Sequence, residues 1–150
     1  MGGSARDANY RAVITGNTGH AEVVELRFDS ERVSYEELLN VFWMIHDPTT
    51  LNQQGNDRGP QYRSVIFYHS ELQRALAEQS KISVEAKVYK DPVITVLASA
   101  DVFYPAEDRH QNYYQTYPFY GYCRSVISPK MAKLRKEFYQ LIKQEYIGIE

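Results

Sequence analysis

Apolar residues recur at helical spacing in the first third of the chain. The pattern predicts a helix from Tyr35 to about Ile45, and these residues share one face of it: Leu38, Leu39, Phe42 and Ile45. Ser34 and Glu37 have the spacing of a capping box, in which the serine hydroxyl accepts from the backbone N–H three residues later. Pro48 then ends the helix.

Similar signals predict three more helices. Ser70 and Gln73 repeat the capping-box spacing and open a helix before an apolar series. Residues 105–115 form a short helix entered through a proline. The last predicted helix starts at Ser128. Its inward stripe consists of Met131, Leu134, Phe138, Leu141 and Ile142.

Three β-rich segments separate these helices. Residues 22–28, 62–69 and 92–102 are rich in Val, Ile, Leu and Phe and are predicted as strands. Residues 1–8 have no periodicity and form a loop. Residues 49–61 form a long polar loop with two glycines, and a loop of this length is uncommon unless it has a function.

The order of elements leaves two architectures open. Alternating strands and helices suit a parallel α/β sheet, but the short connections also allow a two-layer α+β sandwich with a mixed, largely antiparallel sheet. The 150 residues fit a single domain, 1–150, with no internal repeat or second domain. Hydrophobic residues make up 43% and charged residues 24%, which argues against disorder.

Composition excludes several classes of partner. A net charge of −2 gives no electrostatic reason to bind nucleic acid, and no apolar run is long enough to span a membrane. The N-terminus lacks a secretory signal. One cysteine, Cys123, allows no intrachain disulfide, so a reducing cytoplasm is the expected compartment. The four histidines have no metal-ligand spacing, so no metal is expected.

Two segments carry the most specific chemical signal. The first is Thr18-Gly19-His20-Ala21-Glu22. The second is Gln54-Gly55-Asn56-Asp57-Arg58-Gly59-Pro60-Gln61-Tyr62-Arg63-Ser64. With Asp47-Pro48 and residues 103–111, they make nearly the whole chain resemble the A-type peptide methionine sulfoxide reductases. The resemblance favours the α+β sandwich. It implies thiol-dependent reduction of methionine S-sulfoxide, free or in proteins, with thioredoxin or a small thiol as reductant and no bound cofactor.

The resemblance also assigns roles to individual residues. Glu22 is similar to the family's acid, which binds and protonates the sulfoxide oxygen. Tyr10 and Tyr62 resemble the hydroxyls that share the oxygen site, and Asp57 resembles the residue that steadies them. Cys123 falls where many members have a resolving cysteine. Each residue also has a plainer alternative. Glu22 could be a surface carboxylate, Tyr10 a loop aromatic and Tyr62 an aromatic at a strand start. Asp57 could be an ordinary turn residue and Cys123 a small buried hydrophobe.

The family's Gly-Cys-Phe-Trp-Gly segment, with its nucleophilic cysteine, does not occur in these 150 residues. By the resemblance, the domain is N-terminally truncated, with the first strand and helix absent and no nucleophile. We therefore expect an inactive or strongly impaired reductase. The alternatives are a non-catalytic binding module that retains part of the oxygen site, or an incomplete fragment. Lost neighbours would also leave unpaired strand edges and exposed apolar faces.

Overall fold

A computed structural model of the chain describes residues 1–143. Its helices are α1 (Tyr10–Val13), α2 (Tyr35–Ile45), α3 (Glu71–Lys87), α4 (Tyr113–Thr116) and α5 (Ser128–Glu137). Its strands are β1 (Gln53–Gln54), β2 (Asp57–Arg58), β3 (Val65–Tyr68) and β4 (Val96–Ser99). Single helical turns lie at Ala5–Asp7, Pro60–Tyr62, Asp108–His110 and Tyr139–Leu141, and a π-helical turn lies at Cys123–Ile127.

The two long helices begin where the capping signals predict. The Ser34 hydroxyl accepts from the Glu37 N–H at 3.1 Å, and the Glu37 carboxylate accepts from the Ser34 N–H at 2.7 Å. Ser70 caps α3 by accepting from the Gln73 N–H at 3.2 Å, while the Gln73 side chain accepts from the His69 N–H at 2.8 Å rather than from Ser70. These bonds satisfy N–H groups that have no partner within the helix, so local sequence alone sets both starting points.

Two small sheets accompany the helices. Strands β3 and β4 pair in parallel, with Val65 opposite Val96, and the long helix α3 lies between them in sequence. Strands β1 and β2 form a short antiparallel hairpin, with Gln54 opposite Asp57. The combination of several helices with two separate small sheets is consistent with the α+β class. In residues 1–143 the antiparallel pairing is confined to the hairpin, and the longer pair is parallel.

The core lies between α2, α3 and the β3–β4 sheet. Its buried members are Leu39, Trp43, Ala77 and Val93. The Trp43 indole N–H donates to the Ser80 hydroxyl at 2.7 Å, so the ring is packed and its polar edge is satisfied.

A polar relay of half-buried His46 with buried Ser64 and Thr95 joins the end of α2 to the residues just before β3 and β4. The His46 Nδ1 contacts the Phe42 carbonyl, which can only accept, so Nδ1 carries the proton. The His46 Nε2 then accepts from the Ser64 hydroxyl at 2.8 Å, and Ser64 accepts from the Thr95 hydroxyl at 2.8 Å. Burial is the main cause that lowers the pKa of His46, so the imidazole is neutral in this relay.

The predicted strand over residues 22–28 is wrong. The Glu22 N–H donates to the Gln61 carbonyl at 2.8 Å, but within residues 1–143 no other backbone group of this segment is hydrogen-bonded. Val24 and Leu26 are 82% and 61% exposed. A β-rich sequence becomes a strand only when another strand lies beside it, and the described residues place none there.

Other boundaries also differ from the predictions. The helix predicted at 105–115 is interrupted because Asn112 adopts a left-handed backbone conformation, with φ of 50°, between the turn Asp108–His110 and α4. The other two predicted strands, 62–69 and 92–102, are shorter in the structure, where only residues 65–68 and 96–99 pair with each other. Helix α5 ends at Glu137, so the last part of its predicted stripe lies on the following turn. Among the described residues, no helix is long and apolar enough to cross a membrane.

Candidate active site

The long polar loop, residues 49–61, is an ordered structure that presents Asp57 and leads into Tyr62. The hairpin places Asp57 on β2, and the Gly59 N–H closes the hairpin by donating to the Asn52 carbonyl at 2.8 Å. Gly59 has a φ of 139°, a conformation that a residue with a side chain rarely adopts. The next turn, Pro60–Tyr62, then carries Tyr62 to the start of β3.

Glu22 lies beside this turn. Its N–H donates to the carbonyl of Gln61, the residue before Tyr62, at 2.8 Å. The Glu22 side chain reaches solvent, but its carboxyl is packed closely enough for burial to be the main cause that raises its pKa. The negative charge of Asp57 raises that pKa further, and His110 opposes the shift. A raised pKa makes Glu22 a better proton donor near neutral pH.

Tyr62 belongs to the same electrostatic cluster. Burial raises the pKa of its phenol, and the nearby charges of Glu22 and Asp57 raise it further. The hydroxyl therefore keeps its proton and can donate a hydrogen bond. The structure thus brings Glu22 within electrostatic reach of Asp57 and Tyr62, which lie 35 and 40 residues further along the chain.

Tyr10 approaches the cluster from helix α1. Asn9 caps this helix by accepting from the Ala12 N–H at 3.1 Å, and the Tyr10 N–H donates to Glu107 at 3.0 Å. The Tyr10 ring packs against His110 with 4.9 Å between ring centroids. Because His110 in turn acts on Glu22, Tyr10 is joined to the acid through this histidine.

Sequence reasoning missed two members of the cluster. The Tyr122 hydroxyl donates to the Asp57 carboxylate at 3.0 Å, and burial, followed by Asp57, raises the pKa of Tyr122 to about 12. His110 has a buried Nε2 with no hydrogen-bond partner in the described part of the chain. Its nearest carboxylate oxygen, on Glu107, is 3.9 Å away. In the sequence, Tyr122 belongs to a tyrosine-rich stretch that begins at Tyr104, and His110 belongs to the motif at 103–111.

A groove with a volume of about 610 Å³ opens on one side of the cluster. Tyr10, Glu22 and His110 line it, together with Tyr104 and Glu107. Asp57, Tyr62 and Tyr122 are not among its lining residues. Glu22 and Tyr10 therefore line the groove, whereas Asp57, whose charge raises the pKa of Glu22, does not.

Cys123 lies apart from this groove. Its side chain is fully buried in the π-helical turn, and it is free of any disulfide. The Ser128 hydroxyl donates to the Cys123 carbonyl at 3.0 Å and so ties the turn to the start of α5. A buried thiol cannot react with another sulfur atom unless the structure around it rearranges. The resolving role of Cys123 therefore stays a prediction. In residues 1–143 no group of three or more His, Cys, Asp or Glu could hold a metal ion.

A carboxyl with a raised pKa near the Tyr62 phenol is chemically suited to donate a proton to an oxygen atom. Comparison with known proteins is consistent with that reading. A family model, "Peptide methionine sulfoxide reductase", matches residues 1–142. The enzyme named peptide methionine sulfoxide reductase MsrA in Polynucleobacter asymbioticus is 51% identical over 146 residues, which are 97% of this chain and 77% of that protein. Its namesake in Leptospira borgpetersenii is 49% identical, over 95% of this chain and 80% of that protein.

Solved structures show the same likeness. Reduced Mxr1 from Saccharomyces cerevisiae superimposes with a TM-score of 0.73 at 36% identity, over 77% of this chain and 63% of that one. Methionine sulfoxide reductase A of Corynebacterium diphtheriae gives a TM-score of 0.68 at 34% identity, over 83% of this chain and 64% of that one. The chain thus spans less than two thirds of each solved chain. It belongs to the peptide methionine sulfoxide reductase family, and the predicted α+β class is confirmed.

Proposed function

We propose that this site binds the sulfoxide group of methionine S-sulfoxide, free or in proteins, and donates a proton from Glu22 to its oxygen. The observation that supports this most is the position of Glu22 on the wall of the groove, where desolvation of its carboxyl and the charge of Asp57 raise its pKa. Tyr10 and Tyr62 are the hydroxyls of the oxygen site. Burial, followed by the charge of Asp57, which accepts from the Tyr122 hydroxyl, raises the pKa of Glu22 and so favours its protonated form.

The reaction needs a thiol as well as an acid. A thiolate attacks the sulfur, the S–O bond breaks, and the oxygen leaves as water after it has taken up two protons. A second thiol then attacks the sulfur of the first, which forms a disulfide and releases methionine. Two thiols are thus oxidised for each sulfoxide reduced. Glu22 supplies the first proton, thioredoxin or a small thiol is the reductant, and no bound cofactor takes part.

The 150 residues contain the acid but no accessible thiol of their own, because their one cysteine is buried. We therefore propose that this chain by itself binds the sulfoxide with little or no turnover. Burial of Cys123 also favours the second candidate, a binding module for oxidised methionine, over a reductase in which Cys123 serves as nucleophile.

Binding can be tested by calorimetry with N-acetylmethionine S-sulfoxide, using the R epimer as the ligand control. We expect the S epimer to bind more tightly, and to bind best below the pKa of Glu22, where the carboxyl carries its proton. In Glu22→Gln the amide still donates a hydrogen bond, so binding should persist but no longer change with pH. Glu25→Gln, a neighbouring carboxylate in the same groove, is the matched control and should keep the wild-type profile.

Turnover is measured separately with dithiothreitol as reductant. Equal affinity for both epimers would contradict the proposed oxygen site. So would a wild-type affinity that does not change with pH as Glu22 titrates. Rapid turnover that Cys123→Ser abolishes would assign the nucleophile to Cys123 and refute binding without turnover.

A further inference from the structure

Arg63 joins the two motif segments through backbone carbonyls. Its guanidinium donates to the Gly19 carbonyl at 3.1 Å and to the His20 carbonyl at 3.2 Å. It also donates to the Pro60 carbonyl at 2.9 Å. One side chain therefore spans from the segment that leads into Glu22 to the turn that ends at Tyr62.

The surroundings of Arg63 are unusual for a charged residue. The side chain is half-buried, and burial lowers its pKa. No carboxylate lies within salt-bridge distance of it among residues 1–143. Desolvating a charge against neutral carbonyls is costly unless the donors are well matched to them. A planar guanidinium with five N–H donors can bridge several fixed carbonyls in this way, and an ammonium cannot reproduce its geometry.

The positions of these carbonyls determine where the acid lies. Gly19 has a φ of 77°, and this left-handed conformation is part of the turn that presents its carbonyl to Arg63. Glu22 follows only two residues after His20. Between the two segments, the one other bond near the acid runs from the Glu22 N–H to the Gln61 carbonyl. Without Arg63, that bond would be the remaining hydrogen bond between the two motif segments in residues 1–143, while Ala21 would stay paired with the Met1 backbone.

We propose that Arg63 is a positioning residue, whose guanidinium holds the Gly19–His20 backbone and the Pro60 turn at the separation that puts Glu22 beside Asp57 and Tyr62. It touches no substrate and acts through Glu22. The inference builds on the proposed role of Glu22, but the geometry that it predicts exists without ligand and can be measured without one.

Arg63→Lys separates geometry from charge, because lysine keeps the positive charge and loses the fork. The control is Arg58→Lys, an exposed arginine on the adjacent hairpin. The readout is the Glu22 carboxyl carbon, followed by ¹³C NMR across a pH titration and assigned with Glu22→Gln. In Arg63→Lys we expect the pKa of Glu22 to fall toward its ordinary value, because the carboxyl moves into solvent and away from Asp57. Arg58→Lys should titrate like the wild type.

A second readout is the affinity for N-acetylmethionine S-sulfoxide, which we expect Arg63→Lys to weaken by about tenfold, since small misplacements of binding groups are costly. An unchanged titration of Glu22 in a folded Arg63→Lys protein would overturn the inference. If wild-type protein binds no sulfoxide while the titration still responds to Arg63→Lys, the proposed function fails and the positioning role stands. If both Arg63→Lys and Arg63→Met are unfolded at 10 °C by circular dichroism, Arg63 supports the whole fold and the local role is refuted.

Discussion

Ser64→Ala is expected to destabilise the protein more than the substitution of an exposed serine does. The Ser64 hydroxyl donates to His46 and accepts from Thr95, so its removal leaves two buried polar groups without their partners. Each such group costs about 1–3 kcal/mol. Allowing for partial relaxation, we expect the free energy of unfolding to fall by about 2–3 kcal/mol, a large share of the roughly 5–15 kcal/mol of a typical domain.

Urea denaturation measures this loss through the fluorescence of the single tryptophan, Trp43, which is 3% exposed in the fold. Ser30→Ala, at an exposed turn, is the control and should change the stability by less than about 0.5 kcal/mol. A loss below about 1 kcal/mol for Ser64→Ala, with an unchanged urea dependence, would show that the relay contributes little and that our account of it is wrong.

The same relay predicts a pH dependence. Burial lowers the pKa of His46 in the folded protein, so below its ordinary value of 6.5 the unfolded chain binds the proton more readily. The stability that neutral His46 provides is therefore complete above pH 6.5 and declines as the pH falls through the folded-state pKa. His46→Gln should flatten this part of the profile. The exposed His69→Gln should not alter it.

The remaining predictions concern the site, the exposed segment and the core. Asp57→Asn removes the charge that helps raise the pKa of Glu22, so the ¹³C titration of Glu22 and the pH profile of sulfoxide binding should move to lower pH. Replacing Val24 and Leu26 by threonine should reduce self-association in light scattering, because exposed apolar side chains on an unbonded extended segment favour aggregation; unchanged association would contradict this. Leu39→Ala should cost about 3 kcal/mol in urea denaturation because it opens a cavity in the core.

Local chemistry explains why some predictions succeeded. Helices α2 and α3 start where Ser34 and Ser70 cap them, because a cap is made within four residues. The polar loop was singled out by its length and glycines, and it does carry Asp57 and leads directly to Tyr62. Family membership was readable because the motif residues lie in short continuous segments.

Other features depend on contacts between distant parts of the chain. The sequence of residues 22–28 has the composition of a strand, yet whether it becomes one depends on a neighbour that no local pattern reveals. The break at Asn112 could not be read either, since its left-handed backbone is a property of the folded turn.

By itself, the sequence determined the starts of α2 and α3 and the family, and it named the residues of the proposed oxygen site, because each of these signals is written in a short continuous stretch. Tertiary structure alone decided the proton affinity of Glu22, the bond from Tyr122 to Asp57, the burial of Cys123 and the reach of Arg63 across two segments. The physical reason is that pKa values and accessibility depend on desolvation and on charges that folding brings together from distant positions.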